Sequence, residues 1–378
     1  MTAQTWTRWQ RERPRPTVLH LDAAAAGRSS SATLAAVADH ALLESVAGGY
    51  VAEDRAHAPL EQMRRDVAGL MGTDADGVAF LGSATAALEA LVDAWPLRAG
   101  ARVGVAAAEW GPNLEILVQR GLVVEELMVD DHGVLDLAAL AVRLRDAPPD
   151  VLLVDQVAAH RGLVQPAAAV VTVGRQFGVP VWIDAAQALG HVPVAAGDAV
   201  VGTSRKWLTG PRGVGMLAVA EEHRATLRVR RAAKHADLPA VRHLEASEAH
   251  IAGRVGLGVA VREYLALGPD LVHARLDEVG RLVREAVQTL DGWEVARPGA
   301  PAGAITGLLA TAGQDVVRTR DRLLHAHGIL TTVCLPWRAP LEMSAAHGVP
   351  QAPVLRVSPH VDLAADDLER LCRALAAD

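Results

Sequence analysis

From about Gly77 to Val219, short apolar runs alternate with stretches of helical character, and this alternation limits the fold more than any other feature of the chain. Residues 78–81, 103–106, 151–154, 181–183 and 215–219 have the length and composition of buried strands. Residues 85–94, 113–119 and 166–177 fit between them as helices. Strands alternating with helices predict a mostly parallel α/β sheet wrapped on both faces. Ligands of such sheets sit beyond the carboxyl ends of the strands, so the residues just after each strand carry the chemistry.

The pattern turns helical over residues 251–290, and short strands and a final helix over 364–377 follow Trp293. A chain of 378 residues suits two lobes better than one simple domain. The expected division is a large lobe over 21–250, a smaller α+β lobe over 251–378, and an N-terminal arm over 1–20 that packs with the small lobe. A 51% hydrophobic composition supports a sizeable core and excludes a disordered chain. The net charge of −7 is interspersed, with no basic face, which argues against a nucleic-acid partner. Cys334 and Cys372 are the two cysteines and lie far apart, so a disulfide framework is not expected and a cytoplasmic setting is. No apolar run is long enough to span a membrane, and the polar, basic start does not read as a secretory signal.

The segment IDAAQALGHVPV places Asp184 at the end of a buried strand. A lone carboxylate there is costly unless a cation meets it. A protonated pyridine nitrogen is one such cation; the other reading is a carboxylate that caps the next helix. Gln187 stands close enough to bond a phenolic oxygen on the same ring. In VVGTSRKWLTGPRGVG, Lys206 lies between Thr203-Ser204-Arg205 and a glycine-rich turn. Neighbouring cations and desolvation favour a neutral, nucleophilic amine. Thr203 and Arg205 can contact a phosphate. Ala84 and Thr85 open a helix whose free N–H groups suit the same anion, or Ser83 and Thr85 are ordinary capping residues. Trp110 follows a strand and can stack on a ring or serve as core. Arg356, in LRVSPH, can hold a carboxylate in bidentate fashion or form a structural ion pair.

Taken together, DAAQALGHVPV, TSRKWLTGPRGVG, HLEASEAHIAGRVGLGVAV and LRVSPH resemble the class V aminotransferases, the family that includes cysteine desulfurases, kynureninase and related lyases. The resemblance runs nearly end to end. It implies the aspartate-aminotransferase-like fold of pyridoxal 5'-phosphate enzymes (fold type I), with Lys206 bonded to the cofactor, Asp184 at its ring nitrogen and Gln187 at its ring oxygen. It also implies phosphate contacts from Ala84, Thr85, Thr203 and Arg205 and from Ser247 of a partner subunit, stacking by Trp110, and a substrate carboxylate on Arg356. The family is usually a homodimer with shared active sites and uses no metal.

Three departures matter. Arg205 stands where desulfurases carry histidine. The family's ring-oxygen asparagine is replaced near Ala159 and His160. No cysteine matches the desulfurase nucleophile loop. LDAAAAG, GGYVAEDRA and TSRKWLTGPRGVGML are most similar to the carbon–sulfur lyases of ergothioneine biosynthesis within the family. That resemblance implies a cysteine S-conjugate as substrate, hercynylcysteine sulfoxide. It would be cleaved by β-elimination to a sulfenic acid, the precursor of ergothioneine, with pyruvate and ammonia. Tyr50, Glu53, Asp54 and Trp337 are the candidate contacts to its trimethylammonium side, and His160 is a further candidate substrate contact. A cysteine desulfurase or an aminotransferase on the same fold is the alternative, and a non-catalytic binding protein is another; retention of Lys206, Asp184 and Arg356 together argues against the last.

Overall fold

The computed structural model describes residues 2–230, 237–246, 248–343 and 352–376. The first described element is a helix, α1 (Thr2–Arg11). Trp6 and Trp9, three residues apart and so on one helical face, are both buried and anchor it. Strand β1 (Leu19–His20) pairs in parallel with β11 (Ile329–Leu330), which ties this segment to the far end of the chain. Helix α2 (Ser31–Ala47) starts where the Ser30 hydroxyl accepts the Thr33 N–H at 2.9 Å. It stops at Gly48, whose φ of 93° lets the chain turn into α3 (Gly49–Leu70).

A seven-stranded sheet follows. Its strands are β2 (Val78–Leu81), β3 (Arg102–Val105), β4 (Val123–Glu126), β5 (Val151–Asp155), β6 (Val181–Asp184), β7 (Ala199–Thr203) and β8 (Gly215–Val219). They lie in the order β2-β8-β7-β6-β5-β3-β4, and only β8 runs antiparallel to its neighbours. Helices α4 (Ala84–Ala94), α5 (Gly111–Gln119), α6 (Leu137–Asp146) and α7 (Ala167–Phe177) cross between strands. Alternate residues of β5 enter separate cores: Leu152 and Val154 pack in one, Val151 and Leu153 in the other. That is the period-2 signature of a sheet covered on both faces. The sequence pattern predicts five of these strands. It misses β4, an edge strand with two glutamates, and β7, because the β6–β7 connection contains no helix to mark it.

After α8 (Glu221–Arg224), the helical stretch is broken by Gly268, with φ 87°, into α9 (Ile251–Leu267) and α10 (Pro269–Val287). Helix α9 packs on α2 and α3. A second, antiparallel sheet has the order β12-β13-β10-β9, with β9 (Trp293–Val295), β10 (Thr306–Ala310), β12 (Thr332–Cys334) and β13 (Val354–Val357). Helices α11 (Val316–His325) and α12 (Ala365–Leu375) complete the chain. Among the described residues, no helix is long and apolar enough to cross a membrane.

One contact sets the position of α4. A Cβ on Gly215, where β8 begins, would lie 2.1 Å from the Ser83 carbonyl carbon, and Ser83 is the N-cap of α4. Gly215→Ala must therefore push two backbones apart. Overpacking of this kind costs about 1–3 kcal/mol or more. The expected result is a lower thermal midpoint, and an unchanged midpoint would show that the two segments do not touch.

Candidate active site

A cavity of about 310 Å³ opens beyond the carboxyl ends of the parallel strands. Each wall comes from a strand end or the turn after it. Thr203 ends β7, and Arg205 and Lys206 follow it; Asp184 ends β6, and Ala186 and Gln187 follow it. Asp155 ends β5, and Trp110 and Asn113 come from the turn after β3 and the start of α5. Ala84 and Thr85 open α4, and Trp337, Arg338 and Arg356 close the cavity from the C-terminal part of the chain.

The backbone around Lys206 is held closely. Gly27 N–H donates to the Arg205 carbonyl at 2.7 Å, and a Cβ on Gly27 would come within 2.2 Å of the Lys206 carbonyl oxygen. Thr209 N–H donates to the Lys206 carbonyl, with Thr209 itself at φ 55°, a strained conformation for a β-branched residue. Trp207 is buried, stacked on His191 at 4.1 Å, with its indole N–H on Gln187 Oε1 at 2.9 Å. The Lys206 amine is pushed down to about 8, first by desolvation and then by the Arg205 and Arg356 charges, against the pull of Asp184. Sequence reading passed over a further signal: the chain has two lysines, Lys206 and Lys234, among 37 basic residues.

Opposite stands a cluster of three buried carboxyl groups. Asp184 accepts Asn113 Nδ2–H at 2.8 Å and the Ala186 N–H at 2.8 Å. Asn113 donates its second hydrogen to Glu109 at 2.8 Å, and Glu109 also accepts the Asp155 N–H at 3.0 Å. Asp155 lies in register with Asp184 on the neighbouring strand, and its Oδ2 has no hydrogen-bond partner. Burial first, and the Asp184 charge second, hold both Glu109 and Asp155 above the usual carboxylate range. Glu109, Asn113 and Asp155 were not singled out from the sequence. Glu109 and Asn113 flank the Trp110 that was, and Asp155 ends an apolar run just as Asp184 does.

Gln187 donates to the Ala24 carbonyl at 3.0 Å, which leaves the second Nε2 hydrogen for the cavity. Arg205 has no carboxylate partner among the described residues. Arg356 is 1% exposed, bonded to the Ala159 carbonyl at 2.9 Å and to Asp22 at 3.1 Å, so the ion pair exists and the guanidinium still borders the cavity. The structure does not bring every expected residue to this wall. His160 is turned away, bonded to the buried Glu342 at 2.7 Å, which corrects its expected place at the substrate. Tyr50 is 84% exposed at the start of α3 and lines no part of this chain's cavity, and Glu53 and Asp54 stand further along the same helix. Ser247 lies outside the described residues. Neither thiol reaches the cavity: Cys334 is buried on β12 beside Ala339 and Met343, and Cys372 is half-buried on α12.

The Lys206 environment predicts its reactivity. An amine attacks only when deprotonated, so a pKa near 8 moves the midpoint of its reaction with a small acylating reagent to about pH 8. An exposed lysine, with a pKa of ~10.4, stays mostly unreactive there. Peptide mapping of protein labelled across this range checks it, since Lys234 and the N-terminal amine are the other amines present. A midpoint near 10 for Lys206 would show that the site does not desolvate it.

The sequence profile of the Aminotransferase class-V family matches residues 19–371. A protein of Mycobacterium tuberculosis (strain CDC 1551 / Oshkosh) named "Probable hercynylcysteine sulfoxide lyase" is 41% identical over 98% of this chain and 92% of its own length. A cysteine desulfurase of Dickeya dadantii is 30% identical, over 72% of this chain and 71% of its own. The crystal structure of the cysteine desulfurase CsdA from Escherichia coli superposes with a TM-score of 0.84 at 20% identity, over 98% of both chains. The chain belongs to the class-V aminotransferase family, on the fold of the pyridoxal-phosphate transferases.

Proposed function

We propose that this chain is a pyridoxal 5'-phosphate-dependent carbon–sulfur lyase that cleaves hercynylcysteine sulfoxide by β-elimination. The observation that carries the reading is a cavity holding a desolvated lysine, a strand-end aspartate and a carboxylate-binding arginine, with no thiol in its wall. The kinship with the mycobacterial lyase, over almost the whole of both chains, supports the substrate.

The residues fit the cofactor. The first N–H groups of α4, those of Ala84 and Thr85, have no partner within the helix, and the Arg205 guanidinium and Thr203 border the same cavity. These are the groups to hold its phosphate, Arg205 being without a carboxylate partner among the described residues. Asp184, buried and hydrogen-bonded, is the anion for its ring nitrogen; Gln187 is the donor for its ring oxygen, and Trp110 is the stacking surface. Bound there, the cofactor supplies an electron sink for the pair left behind when the substrate's Cα–H bond breaks.

The chain's own groups do the rest. Arg356 holds the substrate carboxylate, its guanidinium kept in place by Asp22 and the Ala159 carbonyl. Lys206, with a neutral amine within reach near pH 8, takes the Cα proton. The Cβ–S bond then breaks, and sulfur leaves with the bonding pair as a sulfenate. The three-carbon fragment hydrolyses to pyruvate and ammonia. A sulfenate needs no enzymic thiol to attack it, in contrast to desulfurase chemistry.

Two further assignments belong to the same reading. A homodimer is supported by the exposed apolar side chains Leu42, Val46, Tyr50 and Val51 around the α2–α3 corner. A cytoplasmic setting is supported by two cysteines that are both free.

Three variants test the proposal, followed by pyruvate release from hercynylcysteine sulfoxide. Lys206→Ala loses turnover together with the absorbance of lysine-bound cofactor. Asp184→Ala leaves Asn113 and the Ala186 N–H without their acceptor and slows turnover by about two orders of magnitude or more. The double variant Cys334→Ala, Cys372→Ala keeps most of its activity. Loss of turnover in the double variant with cofactor absorbance intact, restored by returning Cys334, would place a cysteine nucleophile in the reaction instead.

A further inference from the structure

One cation that faces the cavity has no anion assigned to it. Four cationic side chains border it: Lys206, Arg205, Arg338 and Arg356. Arg356 is paired with Asp22 and is the group for the cysteine carboxylate. Arg205 is the group for a phosphate. Arg338 is left over. It has no ion pair or side-chain hydrogen bond among the described residues, its Nε is buried without a partner, and the neighbouring segment 344–351 contains no acidic residue. A buried donor left without a partner is costly, so an acceptor is expected to meet it.

The turn that carries Arg338 is built rather than loose. It is a single 3₁₀ turn, Pro336–Arg338, closed by the Arg338 N–H on the Leu335 carbonyl at 3.0 Å. A Cβ on Gly111 would lie 2.0 Å from the Trp337 carbonyl oxygen, so the turn rests directly on the start of α5. A few residues on, Glu342 N–H donates to the Ala107 carbonyl at 2.9 Å, and the Glu342 carboxylate is locked by His160 and Arg161. The Arg338 guanidinium lies 5.6 Å from the Trp110 ring and 5.2 Å from the Trp337 ring, and Trp337 is 49% exposed.

We infer that Arg338 is a specificity residue that binds a second carboxylate, on the part of the substrate that leaves with sulfur, while Trp337 packs on a quaternary ammonium beside it. This deepens the lyase reading and rests on it. The hercynyl arm is an amino-acid betaine, in which one carbon bears both a carboxylate and a trimethylammonium. A bidentate guanidinium next to an indole face matches those two charges on adjacent side chains. The arrangement also selects against S-alkyl cysteine sulfoxides, which would leave Arg338 desolvated and unpaired.

The test compares hercynylcysteine sulfoxide with S-methylcysteine sulfoxide, which keeps the cysteine carboxylate and the S–O group but lacks the betaine arm. For Arg338→Gln, the ratio of kcat/KM between the two substrates falls ~10–100-fold, chiefly through KM for the betaine substrate. Arg338→Lys restores part of it, and the cofactor absorbance of both variants reports an intact site. An unchanged ratio, whether both rates fall or neither does, overturns the inference. Binding of hercynine itself, which has no bond to break, is followed by tryptophan fluorescence and weakens by a similar factor in Arg338→Gln. Equal binding to both proteins also overturns it. If hercynine binding depends on Arg338 while the wild-type enzyme releases no pyruvate from either sulfoxide, the lyase reading falls and the Arg338 site stands.

Discussion

Three carboxyl groups crowd the carboxyl ends of the central strands, and the rest of the cavity is arranged around them. Asp184, Asp155 and Glu109 are all buried, on adjacent strand ends and the turn beside them. Three negative charges cannot share so dry a space; the group resolves the conflict by keeping Glu109 and Asp155 protonation-prone and by lending Asp184 two N–H donors. Asn113 is the bridge, with one hydrogen on each of two carboxyls. Asp184 and Asp155 both line the cavity, across from its wall of cations. That opposition is what a cationic ring and an anionic phosphate on a single cofactor require.

The opposite wall solves the mirror problem. Lys206 is surrounded by arginines and enclosed by apolar packing, so its amine sheds its proton more easily than an exposed lysine does. Arg356 would repel it further if Asp22 did not share the charge at 3.1 Å. The same ion pair joins the first twenty-odd residues to β13, next to the Asp22–Ser358 bridge. One contact therefore serves electrostatics and chain closure together.

The sheet was legible because short continuous apolar runs alternating with helices have few other solutions; β6 and β8 were visible as VWID and GMLAV. Strand β7 was not, since AVVGT follows a helix-free connection. At the site, Asp184 could be found because a charge at the end of an apolar run must be explained. The same rule applied to VLLVD would have found Asp155, and the rarity of lysine would have found Lys206 without any motif. His160 could not be judged in this way. Whether a histidine in a loop turns inward or outward depends on a carboxylate 182 residues further on, and Glu342 takes it out of the cavity. Arg338 was hidden for the converse reason: what marks it is the absence of a partner, and absence has no sequence pattern.

The N-terminal segment is part of the site's scaffolding although none of α1 lines the cavity. Trp9 stacks on His360 at 4.7 Å, and His360 is bonded to the Trp207 carbonyl at 3.1 Å, one residue from the lysine. Arg13 lies 3.5 Å over the Trp9 ring and reaches the Thr209 hydroxyl. Both ends of the chain thus converge on residues 206–209. During synthesis the lysine emerges about 150 residues before residues 356–360, which belong to its surroundings. A nascent chain of this protein can form much of its parallel sheet early, but it cannot finish its active site until the segment that carries residues 356–360 has followed.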